Sequence, residues 1–491
     1  MIVTAPSQPQ SFLTPSLPRT PATYPDALLE DGYSRLSFDF FRTVSVPEFA
    51  RFFGRSFWSQ SLLNTSHQFP AVMSAMLALS SLHRCFKDGK SLRDDAYAGR
   101  QYDRSLKQLI RAISNTADKS YSRLMSLLCG IIFTVIEVLH GSYTQALLHL
   151  DSIVQLLNER PQAVATAEEV LIGDAFLRDL RAVIFRFDIE GALYSTRRPL
   201  RLALSPLETK PLPEPYTQSP SLELDKIEDE LTKLMGYMSQ LCFNTQSYRY
   251  ITPGDVPIHL LHEQQTLTAH FLHWWENSDA ALLELIAGGT DSANQPEWTR
   301  RATLLRIHYH TAWTMLQGCI HAHETAYDQY LDNFAQIVQY VAIWTEIERS
   351  DNDLFAAAVA TETRGLFSPE TGIVFPLYWT AIRCRDGKLR RQALSQLRLC
   401  AREGVWNPEA QTKVAARIIE IEEGLEPWSI LEAGEDDLAE VPSMEDIYEF
   451  RRCHRVIWPT DRVNRRVNMI YDRRPNGMDG EWDTGSEWVD Y

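Results

Sequence analysis

No two cysteines lie close enough to make a C-x-x-C motif. Cys85, Cys129, Cys242, Cys319, Cys384, Cys400 and Cys453 are scattered through 491 residues, and the nearest two are 16 apart. An odd, dispersed set is no disulfide framework; it fits a reducing compartment where thiols serve as small core hydrophobes. Positive charge is also short: 48 Lys and Arg stand against 64 Asp and Glu, a net −16. A uniformly acidic body repels phosphate backbones, which argues against a general nucleic-acid binder while leaving room for a small basic module. Met1-Ile2-Val3-Thr4-Ala5-Pro6 has neither the basic nor the apolar part of a secretory leader. The longest apolar run, Leu127 to Leu139, is 13 residues with Glu137 inside it, which suits a buried helix better than a bilayer span. The expectation is a soluble intracellular protein with no membrane contact. Also missing are G-x-x-x-x-G-K-S/T, G-x-G-x-x-G after a strand, and G-x-S-x-G, so no motif supports an enzyme.

What is present is helical period. Val72, Met76, Leu79, Leu82 and Phe86 recur every three or four residues, as do Tyr102, Leu106, Leu109, Ile110 and Ile113. Residues 121–139 are apolar on every side, which marks a central helix. Gly141 is placed to end it and Ser142 to cap the next, whose inner face is Ala146, Leu147, Leu150, Val154 and Leu157. Helical signals continue through 221–242, 257–287, 296–349, 352–366 and 372–423, with no run of period-two strand and no fixed repeat. The expected fold class is all-α, a single large domain of antiparallel packed helices over 31–426. Residues 1–30 carry six prolines among Ser and Thr and are expected to be disordered. A second proline-rich stretch, Arg197 to Pro220, is expected to be a packed loop or a hinge. Residues 427–491 hold 15 acids and 8 Arg in blocks, and a charged, partly folded tail is expected there.

Three segments have a more specific pattern. The first is His67-Gln68-Phe69-Pro70-Ala71-Val72, with Leu82-His83, Tyr102, Glu137-Val138-Leu139-His140-Gly141 and His149-Leu150-Asp151. The second is Phe185-Arg186-Phe187-Asp188-Ile189-Glu190-Gly191-Ala192, ending at Arg198-Pro199-Leu200. The third is Gly372-Ile373-Val374-Phe375-Pro376-Leu377-Tyr378, then Arg383-Cys384-Arg385-Asp386, Arg390-Arg391-Gln392-Ala393, Glu403-Gly404-Val405-Trp406 and Ile418-Ile419-Glu420-Ile421-Glu422-Glu423. In this order they resemble the regulatory domain of fungal-specific transcription factors, the helical region that normally follows a binuclear zinc-cluster DNA-binding domain. The resemblance covers roughly 40–425. It implies an all-helical fold, a nuclear setting (with the cytoplasm as alternative) and a regulatory role.

The departure is as informative. Two zinc ions sharing six thiolates need ligands close in sequence, and residues 1–66 contain no cysteine. The chain is therefore expected not to bind DNA itself. Either an upstream segment completes it, or it is a regulator without its own zinc cluster. The expected partners are a zinc-cluster transcription factor or a second copy of the chain, with a small-molecule effector, acting on a metabolic or secondary-metabolite gene set. The alternative is a regulatory fold reused as a small-molecule-binding protein or enzyme of secondary metabolism. A ligand-free homodimeric scaffold is a third reading.

Each chemical candidate has a structural counterpart. His270, His273 and Glu276 step by three beside Trp274 and Trp275, a metal-facing spacing or simply the polar margin of an amphipathic helix. His308, His310, His321, His323 and Glu324 form a second cluster. On a helix His308 and His310 point about 200° apart, His310 and His321 lie about 16 Å apart, and only His321 and Glu324 are neighbours. Asp188 and Glu190, near Arg186, are either pocket carboxylates or members of a structural ion pair. Arg383, Arg385, Arg390 and Arg391 with Asp386 are either a nucleic-acid patch or the flanks of a helix join at the Asp386-Gly387 turn. Trp406 is expected to be a core anchor. Arg451-Arg452 and Arg462-x-x-Arg465-Arg466 loosely resemble a bipartite import signal. Trp482 and Trp488 among five acids resemble an acidic-hydrophobic activation segment or a solvated tail. No catalytic residue, metal site or cofactor is assigned.

Overall fold

Local capping sets where several helices begin and end. Asp31 accepts the Ser34 N–H at 2.6 Å and opens α1 (Gly32–Phe40). Short turns with a π-type bulge, Phe41–Ser45 and Phe57–Ser61, lead into α2 (Val46–Phe49) and α3 (Leu62–Ser66). Pro70 starts α4 (Pro70–Lys87), where its missing N–H removes no helical bond. There follow α5 (Ala96–Asn115), α6 (Lys119–His140) and α7 (Tyr143–Asn158). Gly141 ends α6 at φ +74°, and the Ser142 N–H reaches back to the Glu137 carbonyl at 2.6 Å, as a left-handed helix end requires. Ser142 does stand at the cap position of α7, but its side chain makes no capping bond.

The computed structural model describes residues 31–115, 119–159, 174–195, 197–207, 220–287, 295–351, 365–432, 441–461 and 464–491. The disorder expected over 1–30 lies outside the described residues, as does most of the helix expected over 352–366. The remaining long helices are α8 (Asp174–Tyr194), α9 (Pro220–Thr245), α10 (Ile258–Ala287), α11 (Gln295–Gly318), α12 (Leu331–Asp351), α13 (Val374–Arg383), α14 (Gly387–Arg398) and α15 (Pro408–Glu423), with a short α16 (Ser429–Glu432). The described residues within 31–432 adopt the expected all-α class, apart from one two-residue strand pairing. Two long signals are broken: 296–349 by an irregular stretch and a 3-10 turn, Glu324–Tyr330, and 372–423 into three helices.

α6 is the centre of one packed group, with α4, α5 and α7 against it, and Leu128, Ile131, Ile132 and Val135 fully buried. Its stretch Tyr121–His140 is 20 residues at mean hydropathy 1.9, long enough to cross a bilayer, so the 13-residue run understated it. Of that apolar stretch 78% is buried inside the protein, which is what a core helix does. α11 is the centre of a second group, touching α9, α10, α12 and α13. A two-residue parallel pairing of β1 (Phe367–Ser368) with β2 (Arg402–Glu403) ties the segment before α13 to the segment before α15.

The sequence shows no strand signal strong enough to predict a sheet, and the structure corrects this. β3 (Arg455–Ile457) and β4 (Thr460–Asp461) pair along one edge of β5 (Arg466–Arg473), and β6 (Asp483–Asp490) along the other, all antiparallel. Val467, Met469 and Val489 are buried, and α15 packs on β5 and β6. Arg417 of α15 donates to Glu487 at 2.6 Å, and Lys413 to the Asp490 carbonyl at 2.8 Å. The tail is thus largely folded where described, and two readings of it fall. Arg452 is buried with its guanidinium on Asp328 at 2.6 and 2.7 Å, so a receptor cannot read Arg451-Arg452 as an exposed pair. Arg466 lies over the Trp488 ring, and Trp482 packs on Tyr250 and His454, so neither tryptophan belongs to a free activation segment.

Candidate functional site

α8, α9 and α11, with the Glu370–Pro376 segment at the start of α13, border an open apolar cleft. Leu231, Met235 and Met238 of α9 line it at helical spacing; Leu305, Ala312 and Met315 of α11 face them. A few polar groups converge at one end: Arg186 and Glu190 of α8, His308 of α11, Glu370 and Thr371. An apolar body with a small polar end is the usual anatomy of a small-molecule site.

Arg186 is held by Glu370, its Nε donating at 2.7 Å, with Glu228 at 3.9 Å. His308 donates from Nε2 to the Gly372 carbonyl at 2.8 Å, and burial lowers its pKa to about 4. It is a neutral imidazole at physiological pH. Glu190 accepts the Val405 N–H at 3.0 Å. Burial raises its carboxyl; the Val405 N–H and Thr371 pull it back, Glu370 and Glu403 push it up again, and the result is about 8. At neutral pH it therefore holds a proton and offers an O–H donor. Gly404, at φ +46°, leaves room for this carboxyl, because a Cβ there would sit 1.9 Å from Glu190 Oε1. Glu403 takes the N–H groups of Gly372 and Val374 at 2.8 and 2.9 Å and so caps the start of α13.

Glu190 yields a pH prediction. Its folded pKa is about 8 against an ordinary 4.5, so the unfolded chain releases this proton first. The stabilisation is complete below the unfolded value and is lost as pH rises toward 8, at up to roughly 1.4 kcal/mol per pH unit. Glu190→Gln is always neutral and lacks this dependence. Thermal midpoints from pH 5 to 8 should show the variant gaining on the wild type as pH rises; a constant difference would contradict the assignment.

Other candidates resolve as structural. Asp188 does not share the cleft: it is fully buried, bonded to Arg198 at 2.6 Å, and accepts the Arg201 and Leu202 N–H groups at 2.9 and 2.6 Å. It pins the proline-rich segment to α8, the ion-pair reading. His310 bonds Asn333 at 3.0 Å away from His308. His273 bonds Asn277 in its own helix at 2.9 Å. Among the described residues no three of His, Cys, Asp and Glu converge on a metal position. His321 lies beyond the end of α11, so the separation of His310 and His321 expected along one continuous helix does not apply. Glu324 is buried among Arg249, Arg383 and Arg385. Arg385 and Arg390 meet Glu422, each at 2.8 Å, and Arg391 meets Glu423 at 2.5 Å, so these arginines are internal ties and not a nucleic-acid patch. Asp386 caps α14 by accepting the Leu389 N–H at 2.8 Å.

Sequence reasoning reached Arg186, Glu190 and His308 but missed Glu370, Thr371 and the α9 face. The Leu231, Met235, Met238 spacing was a visible signal, yet it is identical to that of a core helix.

The fold and site define a helical body with an apolar cleft that carries a few polar groups. Residues 37–172 match the model of the fungal specific transcription factor domain family. The first motif segment, 67–151, lies inside that span, where the resemblance is shown. No curated protein and no solved structure matches the chain.

Proposed function

We propose that this chain is a nuclear transcriptional regulator whose helical body takes a small, mainly apolar effector in the cleft and contacts DNA through a zinc-cluster partner. The observation carrying the reading is the regulatory-family match at 37–172 on a body that also contains such a cleft. The polar end favours an uncharged ligand. Arg186 is already neutralised by Glu370, and the protonated Glu190 and the neutral His308 add no free positive charge for an anion. A carbonyl or ether oxygen would suit the Glu190 O–H. The effector would act by binding one arrangement of the helices more tightly than another.

The test is transcript profiling after gene deletion, beside a reporter driven by the chain fused to a foreign DNA-binding domain. The expected result is a defined set of changed transcripts and an effector-dependent reporter, abolished when Leu231→Trp fills the cleft. Sequence-specific DNA binding by the chain alone would overturn the partner reading. One observation favours the alternative, a small-molecule-binding protein or enzyme: a cleft carboxyl titrating near neutrality. Unchanged transcripts with an accumulated metabolite would favour it.

A further inference from the structure

The C-terminal sheet ends in an open edge. The Tyr491 N–H donates to the Arg465 carbonyl at 2.8 Å, so along the β5–β6 ladder the odd-numbered residues of β6 turn their backbone groups toward β5. The other edge of β5 agrees. Its even-numbered residues face β3 and β4, with the Asn468 N–H donating to the Pro459 carbonyl at 2.9 Å and the Asp472 carbonyl accepting from the His454 N–H at 2.9 Å. The backbone N–H and C=O groups of Thr484, Ser486 and Trp488 therefore point away from the sheet. All three residues are exposed, and among the described residues no strand pairs with that edge. The open run closes at Asp490, whose carbonyl takes the Lys413 ammonium.

We propose that β6 is a docking edge that takes an extended segment of a partner protein as an added strand, and that this segment alternates Lys or Arg with apolar residues.

Charge selects the occupant. Exposed edges are normally guarded by Pro, Lys, a bulge or a covering element. β6 has no Pro and no Lys, and its pairing with β5 runs in unbroken register from Asp483 to Asp490. Its guard is negative charge: Asp483, Glu487 and Asp490 on the strand, Asp479 and Glu481 just before it, and no Lys or Arg from 475 to 491. Two copies of β6 side by side would line one seam with acids from both strands and no base, so the edge rejects its own copy. The same charge attracts a basic strand. Asp479, Glu481 and Asp490 are exposed and have no ion-pair partner among the described residues. The two faces then ask for different side chains. On the face toward α15, Asp483 and Glu487 flank Gly485, and the Tyr471 ring lies across that glycine, where a Cβ would come within 2.2 Å of Tyr471 Cζ. Carboxylates on either side of an aromatic ring suit Lys or Arg. Asp483 and Glu487 already hold Arg473 at 2.8 Å and Arg417 at 2.6 Å, and each carboxylate keeps acceptor sites to spare. On the other face Thr484, Ser486 and Trp488 carry no charge. The Arg466 guanidinium steadies the Trp488 ring from 4.2 Å, yet that residue is still 50% exposed, and an apolar neighbour would cover it. Successive residues of an added strand point to opposite faces, so basic and apolar residues alternate.

The test uses the purified full chain and a short acetylated peptide alternating Lys with Val, beside a control alternating Glu with Val. Backbone hydrogen exchange is read by mass spectrometry over 483–491. The Lys peptide is expected to slow exchange of the Thr484, Ser486 and Trp488 amides by about tenfold, and the Glu peptide to leave it unchanged. Ser486→Pro should abolish the protection and keep the wild-type thermal midpoint, because that N–H points outward and no ladder bond is lost. Asp490→Lys, which removes an exposed carboxylate and no ladder bond, should weaken the protection. Exchange unaffected by the Lys peptide, equal protection by both peptides, or protection that survives Ser486→Pro would each overturn the proposal. So would a dimer of the chain alone that Ser486→Pro dissolves, since the edge would then belong to a second copy. None of these readouts depends on an effector in the cleft.

Discussion

Glu324→Gln is expected to destabilise the protein by about 3–5 kcal/mol, because it leaves buried positive charge without its counter-charge. Glu324 is fully buried and accepts from Arg383 at 2.6 Å, Arg385 at 3.0 Å, Arg249 at 3.0 Å and the Tyr250 hydroxyl at 2.5 Å. Burial alone would raise its carboxyl, but the three guanidinium groups outweigh that and hold it well below the ordinary carboxylate range. The isosteric amide keeps the shape and removes the charge, so Arg249 and Arg383 face each other uncompensated, while Arg385 keeps Glu422. Arg383 also donates to the Cys453 and His454 carbonyls at 3.2 and 3.0 Å, so the loss should loosen the attachment of the C-terminal sheet to the helical body. Urea unfolding and limited proteolysis of the 441–491 segment are the measurements. Adding Arg383→Met should recover part of the lost stability, since the two sites are coupled. A wild-type unfolding midpoint and an unchanged proteolysis pattern in Glu324→Gln would show that the cluster holds nothing together. The sign with pH follows: a carboxyl with a lowered folded pKa contributes above its unfolded value near 4.5 and loses that contribution as pH falls. Acid should therefore release the sheet.

Trp406→Ala is expected to cost about 3–5 kcal/mol, the usual range for deleting a large buried aromatic side chain. The indole is only 1% exposed and packs between Phe375, at a ring-centroid distance of 4.7 Å, and Tyr194, at 5.7 Å. Its Nε1–H donates to Thr371 Oγ1 at 3.1 Å, so alanine opens a cavity and also strips Thr371, a cleft residue, of a partner. An unchanged thermal midpoint in the purified variant would falsify the anchor role. Trp406→Phe should lose less, because most of the volume remains and only the indole donor is gone.

Much of the helical body was legible because its signal is local. The period of Val72, Met76, Leu79 and Leu82, or the Gly141 stop, needs no knowledge of what packs on it. Trp406 as an anchor and a helix join at the Asp386-Gly387 turn, flanked by the motif arginines, were legible for the same reason: large aromatics and turn dipeptides carry their explanation nearby. The C-terminal sheet was hidden by charge. Val467, Met469 and Tyr471 do alternate, and Pro475-Asn476-Gly477 is a turn signal, with Gly477 at φ +83°. Arg466, Asp472, Arg473 and Arg474 around them gave the stretch the composition of a solvated tail. Only one sheet face is buried, against α15, so half of each strand could be charged without penalty.

The sequence by itself determined that this chain is a helix-rich body with a central apolar helix, no disulfide framework and a regulatory-family pattern, because periodicity, spacing and composition are properties of neighbours along the chain. Tertiary structure alone decided which of two adjacent carboxylates became chemically distinctive. Asp188 and Glu190 are two residues apart on α8; one met Arg198 and became a tie, the other met no counter-charge and kept its proton. Charge state and reactivity depend on what lies within a few ångströms, and that distance is set by packing between helices far apart in the chain.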